Sequence, residues 1–161
     1  MELNWIYKNF DDLSVAELYA ILQLRSEVFV VEQNCVYLDL DSKDKKSRHF
    51  MAWQGDDLVA YTRLVPPGVS FAEASIGRVV TSPRYRGTGI GIELMQKSIA
   101  HCLATYQTQS IKIGAQLYLQ KFYTNLGFVQ SSEPYDEDGI PHIEMILSAL
   151  VGEEHQPIQR A

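Results

Sequence analysis

Apolar positions change their period several times along the chain, and each change marks an element. Residues Asn4–Asn9 alternate Trp5 and Tyr7 with Ile6, the two-residue period of a short edge strand. Ser14-Val15-Ala16-Glu17 is a capping box, Ser at the N-cap and Glu three residues on. It opens a predicted helix that carries Leu18, Leu22 and Phe29 on one face and runs to about Val30. Val31–Asp41 has no clear period, and the charged run Asp39–Ser47 reads as an exposed loop. Arg48–Gln54 and Leu58–Val65 read as two strands joined at Gly55-Asp56-Asp57, a hairpin signal. Ser75–Thr81 is a third strand, closed by Pro83.

The period returns to that of a helix over Ile92–Tyr106, with Ile92, Met95, Ile99, Cys102 and Tyr106 as the stripe. Ser110–Ala115 is a strand, and Leu117–Asn125 is a helix stopped by Gly127. Phe128–Ser131 and His142–Leu147 are strands around an acidic loop, Glu133–Gly139. The order is β-α-α-βββ-α-β-α-ββ. It predicts an α/β fold on a mixed sheet, antiparallel at first, with helices on both faces. One domain over residues 1–150 and a fraying tail at 151–161 follow, since Val151–Ala161 shows no period.

Composition narrows the function classes. At 161 residues and 46% hydrophobic content the chain suits one globular domain with a real core. A net charge of -6 argues against a nucleic-acid partner. Apolar runs are too short to span a bilayer, and no secretory signal pattern opens the chain. Two cysteines without ligand spacing, Cys35 and Cys102, suggest a reduced, cytoplasmic setting and no metal. Asp39-x-Asp41-x-x-Asp44 has the outline of a calcium loop. Lys43 at a ligand position, no glycine at the sixth and Phe50 at the last position exclude it.

The run Arg84-Tyr85-Arg86-Gly87-Thr88-Gly89-Ile90-Gly91 follows a strand and precedes a helix. Glycines there allow a tight turn with bare N–H groups, and the helix start adds unpaired donors and a positive dipole end. Together they read as an anion cradle or as an ordinary glycine-rich turn capping a helix. A nucleoside-triphosphate loop needs Lys-Ser or Lys-Thr next, where this chain has Ile92-Glu93. A dinucleotide fingerprint needs a third glycine at 92, and Gly91 is one residue early.

With Val79-Val80 before the cradle and Phe122-Tyr123-x-x-x-Gly127-Phe128 one strand later, the chain resembles the GNAT superfamily of acyl-CoA N-acyltransferases. Leu24-Arg25, Val28–Cys35, Ile76–Val79, Gly114–Gln116 and Glu137–His142 resemble its ElaA-like members. The resemblance implies the GNAT fold with a splayed central strand pair, and acetyl-CoA as donor. Arg84, Arg86, Gly87, Thr88, Gly89, Ile90 and Gly91 would hold the pyrophosphate. Val79, Val80 and Thr81 would pair with the pantetheine arm. Gln116 stands where many members carry asparagine.

The implied activity is an N-acetyltransferase that passes acetyl to a primary amine, of a small molecule or a protein, by direct attack in a ternary complex. The resemblance makes Tyr123 the general acid and a cofactor contact; the helical pattern alone also allows a core aromatic there. Val80 N–H is the candidate oxyanion donor, and Glu32 or His142 the candidate base. Arg78 within a strand suggests a buried pair or a substrate contact. Cys35 reads as a small apolar thiol, not as a nucleophile beside His49. Monomer and homodimer both remain open. The competing readings are a non-catalytic acyl-CoA-binding regulator of the same fold, and an ATP-binding protein.

Overall fold

The computed structural model describes residues 2–149. The expected tail at 151–161 and the outer limits of a 1–150 domain therefore lie outside the described residues. β1 (Asn4–Asn9), β2 (Arg48–Gln54), β3 (Asp57–Val65) and β4 (Ser75–Thr81) form an antiparallel sheet in that order. β5 (Ser110–Gln116), β8 (Ile140–Ser148) and β6 (Val129–Gln130) form a second sheet, and β7 (Tyr135–Glu137) pairs with β8.

Among the described residues the α-helices are α1 (Val15–Arg25), α2 (Ile90–Tyr106) and α3 (Gln120–Asn125). Every residue of β3 from Leu58 to Val65 is buried, as a strand covered on both faces requires. Ala60, Thr62 and Leu64 face α2, and the Thr62 and Ser98 hydroxyls pair at 2.7 Å. Tyr61 joins Ile21, Leu24, Val28 and Met51 in a second cluster beneath α1.

Four expectations change. The α-helical part of the first helix ends at Arg25, and Ser26–Glu32 continues it as a π-helix. Its five-residue bonds persist past the end, Gln33 N–H to Val28 O at 3.1 Å and Cys35 N–H to Val30 O at 3.0 Å. Ile21, Leu24, Arg25 and Val28 form the buried face, while Leu18, Leu22 and Phe29 are half-buried. Next, α2 begins at Ile90, two residues early. Its core stripe is Ile90, Leu94, Met95, Ser98 and Cys102, and Ile92 is 50% exposed.

The acidic loop 133–139 contains β7. Asp138 (φ 53°) and Gly139 (φ 83°) make the left-handed pair of a two-residue hairpin turn into β8. Finally, the charged run Asp39–Ser47 is not an exposed loop, because Asp39, Asp44 and Ser47 are buried. Arginines below them supply the counter-charges. The Ser14 capping box and the β1, β2 and β4 boundaries match the reading from sequence, and β3 begins one residue earlier, at Asp57.

Candidate active site

β4 and β5 run parallel and touch at one bridge, Ala74 with Ile111, where Lys112 N–H donates to Ala74 O at 2.9 Å. Beyond it they splay: β5 turns to β8, and β4 keeps β3 on one side only. The other edge of β4, at Val79–Thr81, is an unpaired strand edge facing a cavity. Such an edge is a template for an extended ligand. A β-bulge sharpens it. Gly77 pairs with Arg63 and Val80 with Tyr61, so β4 carries one extra residue. Arg78, inside the bulge, is left-handed with φ 50°.

The cradle follows directly. Ser82 N–H donates to Val59 O at 2.8 Å, and the Thr88 hydroxyl to Tyr85 O at 2.8 Å. Gly87 (φ 79°) and Gly89 (φ 80°) take conformations that L side chains rarely adopt, and Gly89 is the N-cap of α2. The first N–H groups of α2 therefore face outward with no intrahelical acceptor. Gly91 is helical, and a methyl there would meet Phe122 and Thr81 only at 3.9–4.0 Å.

A cavity of about 860 Å³ runs along the splay. Val79, Val80, Thr81, Arg86, Gly91, Gln116, Glu32 and His142 line it. Gln33 and Gln116 exchange amide hydrogen bonds at 3.2 and 3.4 Å across it. Arg84 lies elsewhere: it is 71% exposed on its side chain, 3.9 Å from Asp57, and lines a smaller cavity behind the loop. Ile90 turns its side chain into the core.

Arg86 and Glu32 form a two-pronged ion pair at 2.6 and 2.8 Å. The guanidinium holds the Glu32 carboxyl below the usual carboxylate range. Tyr123 is only 6% exposed, edge-on to Phe122 and Phe128 at 5.1 and 5.9 Å. Burial pushes its phenol well above the ordinary value of 10. The end of α3 holds it in place. Phe128 N–H bonds Tyr123 O at 3.1 Å and Gly127 N–H bonds Thr124 O at 3.0 Å, a Schellman cap.

His142 is buried against the Tyr135 ring. Its Nδ1 lies 2.7 Å from Ile140 O, a group that only accepts, so Nδ1 carries the proton. Nε2 keeps its lone pair in the neutral ring, with Glu137 Oε2 at 3.4 Å.

An ion network beside the cavity has no counterpart in the sequence reading. Arg25 bonds Asp39 (2.8 Å) and Asp44 (2.7 Å), and Arg63 bonds both oxygens of Asp41 (2.8 Å each) and Asp44 (3.0 Å). Arg78 reaches Asp39 and Asp41, so the paired role its strand position suggested is present. The spacing Asp39, Asp41, Asp44 was visible in the chain, but its partners come from three other elements. Cys35 donates to Asp138 O at 3.4 Å, and His49 bonds Tyr61 and Asp44 O, so the two do not pair.

Residues 15–149 match the acetyltransferase (GNAT) domain model. The chain belongs to the GNAT family. Protein ElaA of Escherichia coli is 43% identical over 150 residues, 92% of this chain and 98% of that protein. A UPF0039 protein of Synechocystis is 44% identical over 148 residues, 91% of this chain and 96% of that one. Among solved structures, an acyl-CoA N-acyltransferase from Pseudomonas aeruginosa superposes with TM-score 0.87 at 42% identity, over 91% of this chain and all of the other. Escherichia coli ElaA gives 0.86 at the same identity and coverage. This GNAT domain is therefore an ElaA-like transferase of acyl groups from a CoA thioester. No helix among its described residues is long and apolar enough to cross a membrane.

Proposed function

We propose that this GNAT domain is an N-acetyltransferase that passes acetyl from acetyl-CoA to a primary amine in a ternary complex. The observation that carries the reading is the single cavity joining the free β4 edge to a charged chamber. A donor and an acceptor fit in it at once, on either side of Val80. The residues present fit the donor. The N–H groups at Arg86–Gly91 receive its pyrophosphate, the edge at Val79–Thr81 receives its amide arm, and Gln116 flanks the thiol end. Thr88 supports the cradle through its bond to Tyr85 O, and Arg84 adds long-range charge from behind it.

Bound acetyl-CoA supplies an activated carbonyl and a thiolate leaving group. The protein has three tasks. A lysine-like ammonium has a pKa near 10.4, so freeing its lone pair at pH 7 costs about 4–5 kcal/mol. His142 Nε2 accepts that proton, and Glu137 then stabilises the imidazolium. Glu32 is the weaker candidate base, since Arg86 holds its carboxylate ionised and engaged. As the amine nitrogen bonds to the carbonyl carbon, a backbone N–H on the free edge of β4 donates to the oxygen that gains charge. Val80 N–H, the donor expected from sequence, is not that group, because Val80 pairs with Tyr61 in the register in which Ser82 N–H bonds Val59 O. As the carbon–sulfur bond breaks, Tyr123 gives its proton to the departing sulfur.

Thiol release from acetyl-CoA across an amine panel tests the reading, with calorimetric CoA and ATP binding beside it. Turnover with at least one amine is expected. Tight CoA binding without turnover on any amine would identify a regulator instead, and ATP binding tighter than CoA would overturn both.

A further inference from the structure

We infer that Arg78 recognises a carboxylate on the acceptor, so that the amine substrate is an aminocarboxylate: an amino acid or a short relative of one. The inference rests on the acyl-transfer reading of the same cavity. Three observations carry it.

The first is how Arg78 is held. The bulge in β4 keeps it left-handed at φ 50°, a conformation uncommon outside glycine and found where local structure enforces it. Its Nη2 donates to Asp39 O at 2.8 Å and to Asp41 Oδ2 at 3.3 Å. Nε sits 2.8 Å from Asp39 Oδ1 as an ion pair without a directed hydrogen bond. The guanidinium carbon lies 5.8 Å from the centre of the Tyr37 ring. One end of the fork is thus fixed, and Nη1 bonds nothing among the described residues, on a residue that lines the cavity. A guanidinium immobilised in this way and left with free N–H groups is built for a carboxylate.

The second is the charge of that wall. Asp39, Asp41 and Asp44 are already engaged by Arg25 and Arg63, so Arg78 is the third cation on three shared carboxylates. Lys43 lines the same cavity without an ion-pair partner among the described residues, leaving the wall one positive charge in excess.

The third is the opposite wall. The β7–β8 hairpin brings Glu137, Asp138, His142 and Glu144 to the cavity. Lys112 neutralises Glu144 at 3.0 Å, while Glu137 and Asp138 have no lysine or arginine partner among the described residues. A polyamine would meet the wrong charge at Lys43. A zwitterion satisfies both walls. Arg78 stands two residues before Val80, and both line the cavity that His142 borders from the opposite wall. A carboxylate held at Arg78 leaves the amine of a short acceptor inside the same cavity, toward the wall that carries His142.

The test compares glycine, L-alanine, L-methionine, L-phenylalanine, β-alanine and 4-aminobutyrate with their primary carboxamides, using thiol release from acetyl-CoA. Amides have the more acidic ammonium, so intrinsic reactivity favours them. A kcat/KM at least tenfold higher for one or more of the acids supports the inference. Arg78→Gln should then raise KM for that acid about 100-fold, change kcat little, erase the preference and keep CoA affinity within twofold. Lys43→Ala, outside the ion network, should raise KM less. Equal or better turnover of the amides, or a preference that survives both variants, overturns the inference and leaves the acyl-transfer reading intact. If neither half of the panel turns over, calorimetry with the N-acetyl acids on CoA-saturated protein decides. Binding lost in Lys43→Ala and Arg78→Gln supports the inference, and no binding overturns it. Absence of any CoA binding would sink the acyl-transfer reading as well.

Discussion

The proposed mechanism gives Tyr123 and His142 opposite work with protons. The Tyr123 phenol is buried between two aromatic rings and has no hydrogen-bond partner among the described residues. Desolvation raises its pKa, so the neutral, proton-bearing form persists through and beyond the usual phenol range. Tyr123→Phe removes no structural bond. It should leave the melting temperature and CoA affinity near wild type and lower kcat about 100-fold where chemistry limits. No falling limb from this group is expected below pH 10. Rapid-quench kinetics with a slow-leaving donor checks both points; an unchanged chemical rate would remove Tyr123 from the mechanism. His142→Gln keeps the size and a donor but loses the base. Its kcat/KM should fall about 100-fold, whereas Glu32→Gln should lower it less. An unchanged kcat/KM in His142→Gln would return the role to another group. Tyr123 was legible because the motif around it is local. The state of His142 was not, since its tautomer depends on Ile140 O and Glu137 across a hairpin turn.

Two glycines set the geometry where β4 ends and α2 begins. Gly87 and Gly89 are left-handed with open space around them, so backbone conformation, and not room, requires glycine. Gly89→Ala should cost about 1–2 kcal/mol of stability. It also turns the N–H groups of the cradle, so CoA affinity should fall tenfold or more. Gly91→Ala is the contrast: a helical site with room for a methyl should gain or hold stability. Paired melts and calorimetry check this, and equal losses at 89 and 91 would count against the left-handed cradle. Most element boundaries were readable because capping, alternation and turn signals are local. The π-helix at Ser26–Glu32 was not, because a one-residue widening leaves no mark in the spacing of apolar residues. β7 was missed although Asp138-Gly139 signalled it, because the acidic composition of 133–138 resembles a solvated loop.

Over the whole molecule the buried charges tie loop 39–47, α1, β3 and β4 into one body. Burial alone would raise the Asp41 and Asp44 carboxyls, and the Arg25, Arg63 and Arg78 guanidiniums more than reverse it. Their folded pKa values lie below the unfolded 3.8. This contribution is therefore complete above about pH 4 and is lost as pH falls through the folded values. His49 adds an earlier stage. Burial lowers its pKa despite the bond to Asp44 O, so the neutral ring stabilises the fold fully above 6.5 and less as pH drops below that. Urea midpoints from pH 8 to 3 should decline in two stages, the first below 6.5 and the second below 4. A flat profile down to pH 4 would exclude the His49 contribution. The sequence by itself determined the order of elements apart from β7, the glycine turn, the position of Tyr123 and the family, because each depends on neighbours a few residues apart. Only the tertiary structure decided that Asp39, Asp41 and Asp44 are buried against Arg25, Arg63 and Arg78, residues up to 39 positions away. It also decided that Glu32 is bound to Arg86, that Arg84 stands behind the loop, and that two oppositely charged walls share one cavity. Charge looks the same in a sequence whether it faces water or a counter-ion, and the counter-ion arrives only when distant strands meet.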